Sequence, residues 1–144
     1  MDSFGYDRCH CLAMRRGTRN MSRLYDAHLE PSGLSISQFS LLSVIAQTPD
    51  IRSADLGAVM VMERTTLVRN LAPLREAGLI EVTRRKGERS HGYALTQNGR
   101  ARLAEARPLW LAAQAAFERE FGAERSARLR MDNLEVGKLI APPI

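Results

Sequence analysis

The chain is poor in the features that define several other protein classes. No apolar run approaches the roughly 20 residues that a membrane helix needs, and the N-terminal MDSFGYDRCHC has no apolar signal core. The expected location is therefore the cytoplasm, with no membrane partner. Only two cysteines occur, Cys9 and Cys11. They are too few and too close to staple a fold, and with only His10 between them they do not complete a zinc set. The three histidines are scattered, and no HExxH, GxSxG, phosphate-binding glycine loop or supported pair of carboxylates is found. Neither an enzyme nor a cofactor or structural metal is expected. Internal repeats, low-complexity segments and flexible linkers are absent as well.

What remains is a short, basic chain able to bury a core. With 144 residues, of which 44% are hydrophobic, it fits one compact domain. The formal charge is +5 and the pI about 9.9, a balance that suits an acidic partner such as nucleic acid. The positive charge is concentrated: residues 63–92 carry seven Arg or Lys against four Glu.

The stretch from Ser53 to Arg100 carries the most information. Two helical patterns come first. One places Leu56, Val59 and Met60 on a side, and the next places Leu67, Leu71 and Leu74 on a single face. At about 100° per residue, Thr65 and Arg69 fall opposite that leucine stripe, flanked by Arg64, Thr66 and Asn70. Hydroxyl, guanidinium and amide groups of this kind suit base edges and phosphates. Ala77-Gly78 ends the helix, Leu79 to Thr83 is β-prone, and Tyr93 to Leu95 can return as a second strand. Between them RRKGERS, residues 84–90, sets Arg84, Arg85, Lys86 and Arg89 against Glu88 alone. A basic hairpin tip beside a groove-reading helix is placed to reach phosphates or a minor groove. The order helix, helix, hairpin reads as a winged helix-turn-helix.

Flanking this unit, residues 8–29 read as a helix with a stripe of Met14, Gly17, Met21, Leu24, Tyr25 and His28. Ser37 is the expected cap of a helix carrying Phe39, Leu41, Leu42 and Ile45, and Ser53 the cap of the next. Pro73 is expected to kink the recognition helix or to mark an earlier end to it. Thr96 caps a long helix that Pro108 can kink and Gly122 breaks. A last helix runs near Glu124–Leu139. These flanks are more apolar than a small winged unit requires, and a helical dimer interface explains them. The expected organisation is one compact domain: an N-terminal dimerisation helix (1–34), a winged helix-turn-helix (35–100) and C-terminal dimerisation helices (101–144). The fold class is mainly α with a small β-hairpin wing.

The segments RLYDAHLEPSGLSISQFSLL, ERTTLVRNLAPLREAGLI and the closing LTQNGR together resemble the MarR family of bacterial transcription regulators. The resemblance implies a homodimer on double-stranded DNA, most often a repressor, with Arg89 in the minor groove and release by a small molecule or an oxidant. One departure stands out. Family wings commonly carry Asp-x-Arg six to eight residues before a Leu-Thr pair, whereas here Gly87-Glu88-Arg89 precedes Leu95-Thr96. The arginine is kept, and the orienting carboxylate is either missing or supplied by Glu88.

The resemblance also places effectors in the crevice between the dimer helices and the winged unit, where Tyr25, His28, Phe39 and Trp110 are candidate lining residues; core packing is the competing role. For an oxidant, Cys9 and Cys11 are the candidates, with Arg8, Arg15 and Arg16 nearby to favour a thiolate. Two residues apart on a helix they point about 200° away from each other, and the competing reading makes one a small buried hydrophobe. A winged helix serving as a protein-interaction module is the remaining alternative.

Overall fold

The computed structural model describes residues 5–139. Six helices and three short strands follow one another: α1 (His10–Leu29), α2 (Ile36–Gln47), β1 (Ile51–Arg52), α3 (Ser53–Met60), α4 (Arg64–Glu76), β2 (Ile80–Arg84), β3 (His91–Leu95), α5 (Gln97–Phe121) and α6 (Ala123–Gly137). The strands form one antiparallel sheet in the order β1-β3-β2. No helix among the described residues is long and apolar enough to cross a membrane.

Local chemistry sets most of these boundaries. α2 starts at Ser35, whose hydroxyl accepts from Gln38 N while the Gln38 side chain accepts from Ser35 N. The cap is therefore Ser35, not Ser37, because only Ser35 has a glutamine three residues on to complete a capping box. Ser53 is the first residue of α3 and not its cap; Arg52 precedes the helix without a side-chain cap bond. The turn between α3 and α4 is closed by Met62 N donating to Gly57 O at 2.9 Å. Pro73 lies inside an unbroken α4. Both Pro73 and Arg69 are exposed, so solvent can satisfy the Arg69 carbonyl that proline leaves free, and the helix neither ends early nor breaks there. Pro108 is likewise contained in a continuous α5.

Leu29, Leu41, Leu42, Ile45, Leu56, Leu67, Leu71 and Leu74 fill the centre of the winged unit, with Leu79, Ile80, Tyr93 and Leu95 closing it from the sheet. Val59, expected on the buried side of α3, is exposed instead. It follows Leu56 by three positions but lies next to the α3–α4 turn, where nothing covers it. The sheet also holds a strand that the sequence pattern did not reveal. β1 pairs Ile51 with Tyr93 and Arg52 with Gly92.

The wing is tied to α5 by one compact junction. Leu79 N donates to Leu74 O at 2.9 Å, Thr96 N donates to Leu79 O at 3.1 Å, and Thr96 Oγ1 donates to Gly78 O at 2.6 Å. The same hydroxyl accepts from Gly99 N at 3.0 Å and so caps α5 as well. Helix and turn meet so closely that a Cβ at Gly99 would lie 2.0 Å from the Leu79 carbonyl oxygen. Since that atom is backbone it cannot swing aside. Gly99→Ala is expected to destabilise the fold by about 1–3 kcal/mol or more, read as a lowered Tm; an unchanged Tm would show that the junction is looser than this.

Candidate nucleic-acid interface

α4 sits with Leu67, Leu71 and Leu74 at 1–2% exposure, which turns its other face outward. Arg64, Thr65, Thr66 and Arg69 are exposed there. Glu63 precedes the helix in an extended conformation and makes no side-chain cap bond, so the first-turn amides have no side-chain partner. Such an end carries partial positive charge and free donors, both suited to a phosphate. Asn70 is placed differently. It is half-buried, and its Nδ2 donates one hydrogen to Thr66 O at 2.7 Å, which leaves its Oδ1 and second N–H for other partners. Val68, 53% exposed beside Arg69, was missed because an apolar residue in an amphipathic helix is assigned to the core by default. Its offset from the 67-71-74 stripe was the available signal.

The wing follows α4 through the turn at Gly78. β2 and β3 pair from Ile80–Leu95 out to Arg84–His91, and the tip between them is exposed throughout. Arg84, Lys86 and Arg89 make no ion pair among the described residues. Arg85 does. Its Nε and Nη2 reach Asp50 Oδ2 at 2.9 and 2.8 Å, and its Nη1 lies 3.8 Å from Glu88. Asp50 also accepts from Thr83 Oγ1 and from Arg52, and Arg52 Nη1 lies 3.4 Å from Glu88. The bond from Thr83, with the Arg85 and Arg52 charges beside it, holds the Asp50 carboxyl below the ordinary aspartate range against a smaller opposing effect of burial. Glu88 thus lies 3.4 Å from Arg52 and 3.8 Å from Arg85, whereas Asp50 is the more closely engaged carboxylate. No spacing in the sequence points to Asp50, which lies 33 residues from Thr83.

A cleft of about 880 Å³ runs between α1, α5 and α6. Tyr25 and Trp110 line it; His28 and Phe39 do not. His28 is half-buried with Nδ1 2.9 Å from Leu24 O, while Phe39 is buried and stacks behind Trp110 at 5.7 Å between ring centroids. The Tyr25 hydroxyl donates to Gln114 Oε1. Burial, and secondarily Glu118, raise the pKa of that hydroxyl against the opposing pull of Arg130. Phe121, Leu129 and Leu134 line it as well; Met131 and Leu134 on α6, and Leu139 just beyond it, are more than 60% exposed.

Both cysteines are exposed thiols, so the expectation that one would be a buried hydrophobe is not met. Cys9 stands outside the helix as the N-cap of α1, with Sγ accepting from Leu12 N at 3.4 Å. A three-residue turn at Tyr6–Arg8 precedes it, which is why α1 starts at His10 and not at Arg8.

Comparison with known proteins gives the context for this geometry. A sequence profile of the MarR family matches residues 32–89. The M. tuberculosis transcriptional regulator MosR, in a complex with DNA, is 38% identical and superposes with a TM-score of 0.83 over 91% of this chain and 95% of its own. CouR from Rhodococcus jostii RHA1, bound to p-coumaroyl-CoA, is 19% identical with a TM-score of 0.77 over 98% and 100% of the two chains. The PcaV regulator of Streptomyces coelicolor, with its natural ligand, is 16% identical with a TM-score of 0.82 over 94% and 96%. These last two share the fold. A search of curated protein sequences gives no match. With the family profile covering its helix-turn-helix and much of its wing, and a 38%-identical transcriptional regulator aligned over nearly its whole length, the chain belongs to the MarR family.

Proposed function

We propose that this protein is a sequence-specific DNA-binding transcription regulator that works as a homodimer in the cytoplasm, represses from a pseudo-palindromic operator, and is released by a small-molecule effector. Its activity is binding, not turnover. The observation that carries the reading is the pairing of an uncapped, outward-facing α4 with an adjacent wing whose Arg84, Lys86 and Arg89 are free of intramolecular ion pairs among the described residues. MosR, the relative at 38% identity, is seen in a complex with DNA.

In this reading α4 enters the major groove. Arg69 reads a base edge, Val68 packs on a thymine methyl, and Arg64, Thr65 and Thr66 hold base edges or the backbone at the helix start. Arg89 reaches the adjacent minor groove while Arg84 and Lys86 take phosphates. Exposed Met131 and Leu134 of α6, with Leu139 just beyond it, meet a second copy. A two-fold dimer then sets its recognition helices about 34–36 Å apart, one turn of DNA. The inner end of the cleft, where Trp110 stands near the Tyr25–Gln114 pair, receives the effector. The effector releases DNA to the extent that it binds one dimer geometry better than the other.

A second mode of release is favoured by one observation: Cys9 and Cys11 are both exposed at the start of α1, and Cys9 supplies the cap. Peroxide would oxidise the Cys9 thiol to a sulfenic acid, itself being reduced to water, and the larger, more polar group would disturb the cap of a helix that packs on α5. Treatment with peroxide is expected to lower DNA affinity in step with loss of free thiol by mass spectrometry. Unchanged affinity with both thiols reduced would end this reading.

Two substitutions test the main reading on the duplex that the protein prefers and on a random one. Arg69→Ala is expected to weaken binding to the preferred duplex by roughly 1–3 kcal/mol and to relax preference at one position; equal loss on both duplexes would make Arg69 a phosphate contact only. Lys86→Ala is expected to weaken both equally and to reduce the salt dependence of affinity by about 0.9 for each phosphate that Lys86 neutralises. An unchanged dependence would place Lys86 off the DNA.

A further inference from the structure

Of the four cations in the wing turn, one is already engaged before any DNA arrives. Arg85 reaches back from the tip to Asp50, whose Oδ2 accepts from its Nε at 2.9 Å and lies 2.8 Å from its Nη2. The other oxygen of the same carboxylate accepts from Thr83 on β2 and from Arg52 on β1. Arg52 in turn reaches Glu88 and the Ser90 carbonyl, each at 3.4 Å, on the returning side of the turn. One carboxylate thereby links both strands flanking β3 to the wing tip. Two features of the backbone make room for it. Asp50 has φ +62, a left-handed conformation that turns its side chain back over the sheet. Gly92, which pairs with Arg52 on one side and Thr83 on the other, is bare: a Cβ there would lie 2.1–2.5 Å from Arg52, Asp50 and Thr83.

We propose that Asp50 is the positioning residue of the wing, and that by engaging Arg85 it keeps that cation off the DNA backbone and so favours sequence preference over indiscriminate affinity. The inference rests on the DNA-binding reading above and deepens it. Phosphate contacts supply affinity without sequence information, so a cation withheld from phosphate weakens binding to every duplex. The same contact fixes where Arg84, Lys86 and Arg89 stand relative to α4. Asp50, Arg85 and Glu88 are each partly open to solvent, with side chains 31, 56 and 42% exposed. Ion pairs so placed add little to global stability, and their effect lies in direction and charge count.

The test is a salt titration of binding to the preferred duplex and to a random one, using wild type, Asp50→Asn, Arg85→Ala, the double variant, and Lys86→Ala as a reference phosphate contact. Asparagine keeps the size of the side chain and tolerates the left-handed backbone, while losing the charge. Arg85→Ala is expected to leave the salt dependence unchanged on both duplexes, whereas Lys86→Ala makes it shallower. Asp50→Asn is expected to steepen it on random DNA by up to about 0.9 for each phosphate that a freed Arg85 reaches, and to narrow the gap between preferred and random DNA. Adding Arg85→Ala to Asp50→Asn is expected to restore the wild-type dependence. A variant that merely damaged the wing would not steepen the dependence, nor would it be corrected in this way.

Hydrogen exchange without DNA provides a separate readout: amides of residues 82–93 are expected to exchange faster in Asp50→Asn than in wild type. If Arg85→Ala flattens the salt dependence as Lys86→Ala does, Arg85 is a phosphate contact and the inference is overturned; that comparison decides even if Asp50→Asn fails to fold. Unaltered wing exchange in a folded Asp50→Asn overturns the anchoring role. Wild type with no duplex preference would instead defeat the DNA reading itself, and with it the withholding of Arg85, while exchange still judges the anchor.

Discussion

The burial of one face of α4 is the constraint from which the rest of the molecule takes its orientation. Leu67, Leu71 and Leu74 are almost fully enclosed by α2, α3 and the sheet, and helical periodicity then leaves Thr65, Val68 and Arg69 no choice but to face away. A rotation of the helix that hid those groups would bring three leucines to solvent, at about 1.5–3 kcal/mol for each. The polar face is therefore held rigidly by an apolar one, which suits a surface meant to match base edges. The exit from α4 is equally determined. Gly78 turns at φ +72, Leu79 enters the core, and the Leu79 carbonyl bonds to Thr96 while lying against Gly99. Recognition helix, wing and α5 are thus fastened at one point.

That point also gives the winged unit a path to the rest of the chain. α5 starts at the wing junction and runs for 25 residues past α1, carrying Trp110 and Gln114 into the cleft and Phe121 to its far end. α5 therefore joins α1 and α6 to the base of the wing through Thr96 and Gly99. The wing tip has its own anchor in Asp50, from the loop after α2. The wing thus makes two sets of contacts, backbone hydrogen bonds at Leu79 and Thr96 and ionic ones at Asp50.

Much of this was legible in the sequence where the signal is local. The leucine stripe of α4 needs only spacing, and Leu95-Thr96 followed by Gly99 carries both the end of β3 and the cap of α5. The capping box of α2 was equally legible in Ser35 and Gln38, yet Ser37 stands two residues on and competes as a cap until the glutamine is taken into account. Pro73 does not mark an early end of α4, because the cost of an internal proline depends on its surroundings, a fact of tertiary structure. β1 is two residues long and too short to show a period. Asp50 is the clearest limit. At Gly87-Glu88-Arg89 the usual aspartate is absent and Glu88 is one candidate local substitute, whereas the carboxylate that Thr83 and Arg85 engage is joined to the wing only by folding. In the same way Phe39 and Trp110 read alike as cleft residues, and only packing separates the one that lines the cleft from the one that supports it.

The central claim is that the outward face of α4, in two copies, reads DNA sequence. The most direct measurement is selection by the full-length protein from a randomised duplex pool at near-physiological salt, followed by sequencing. The account predicts enrichment of a pseudo-palindrome whose half-sites lie about one helical turn apart, roughly 10–10.5 base pairs centre to centre. A folded, reduced, dimeric protein that enriches no sequence would contradict it.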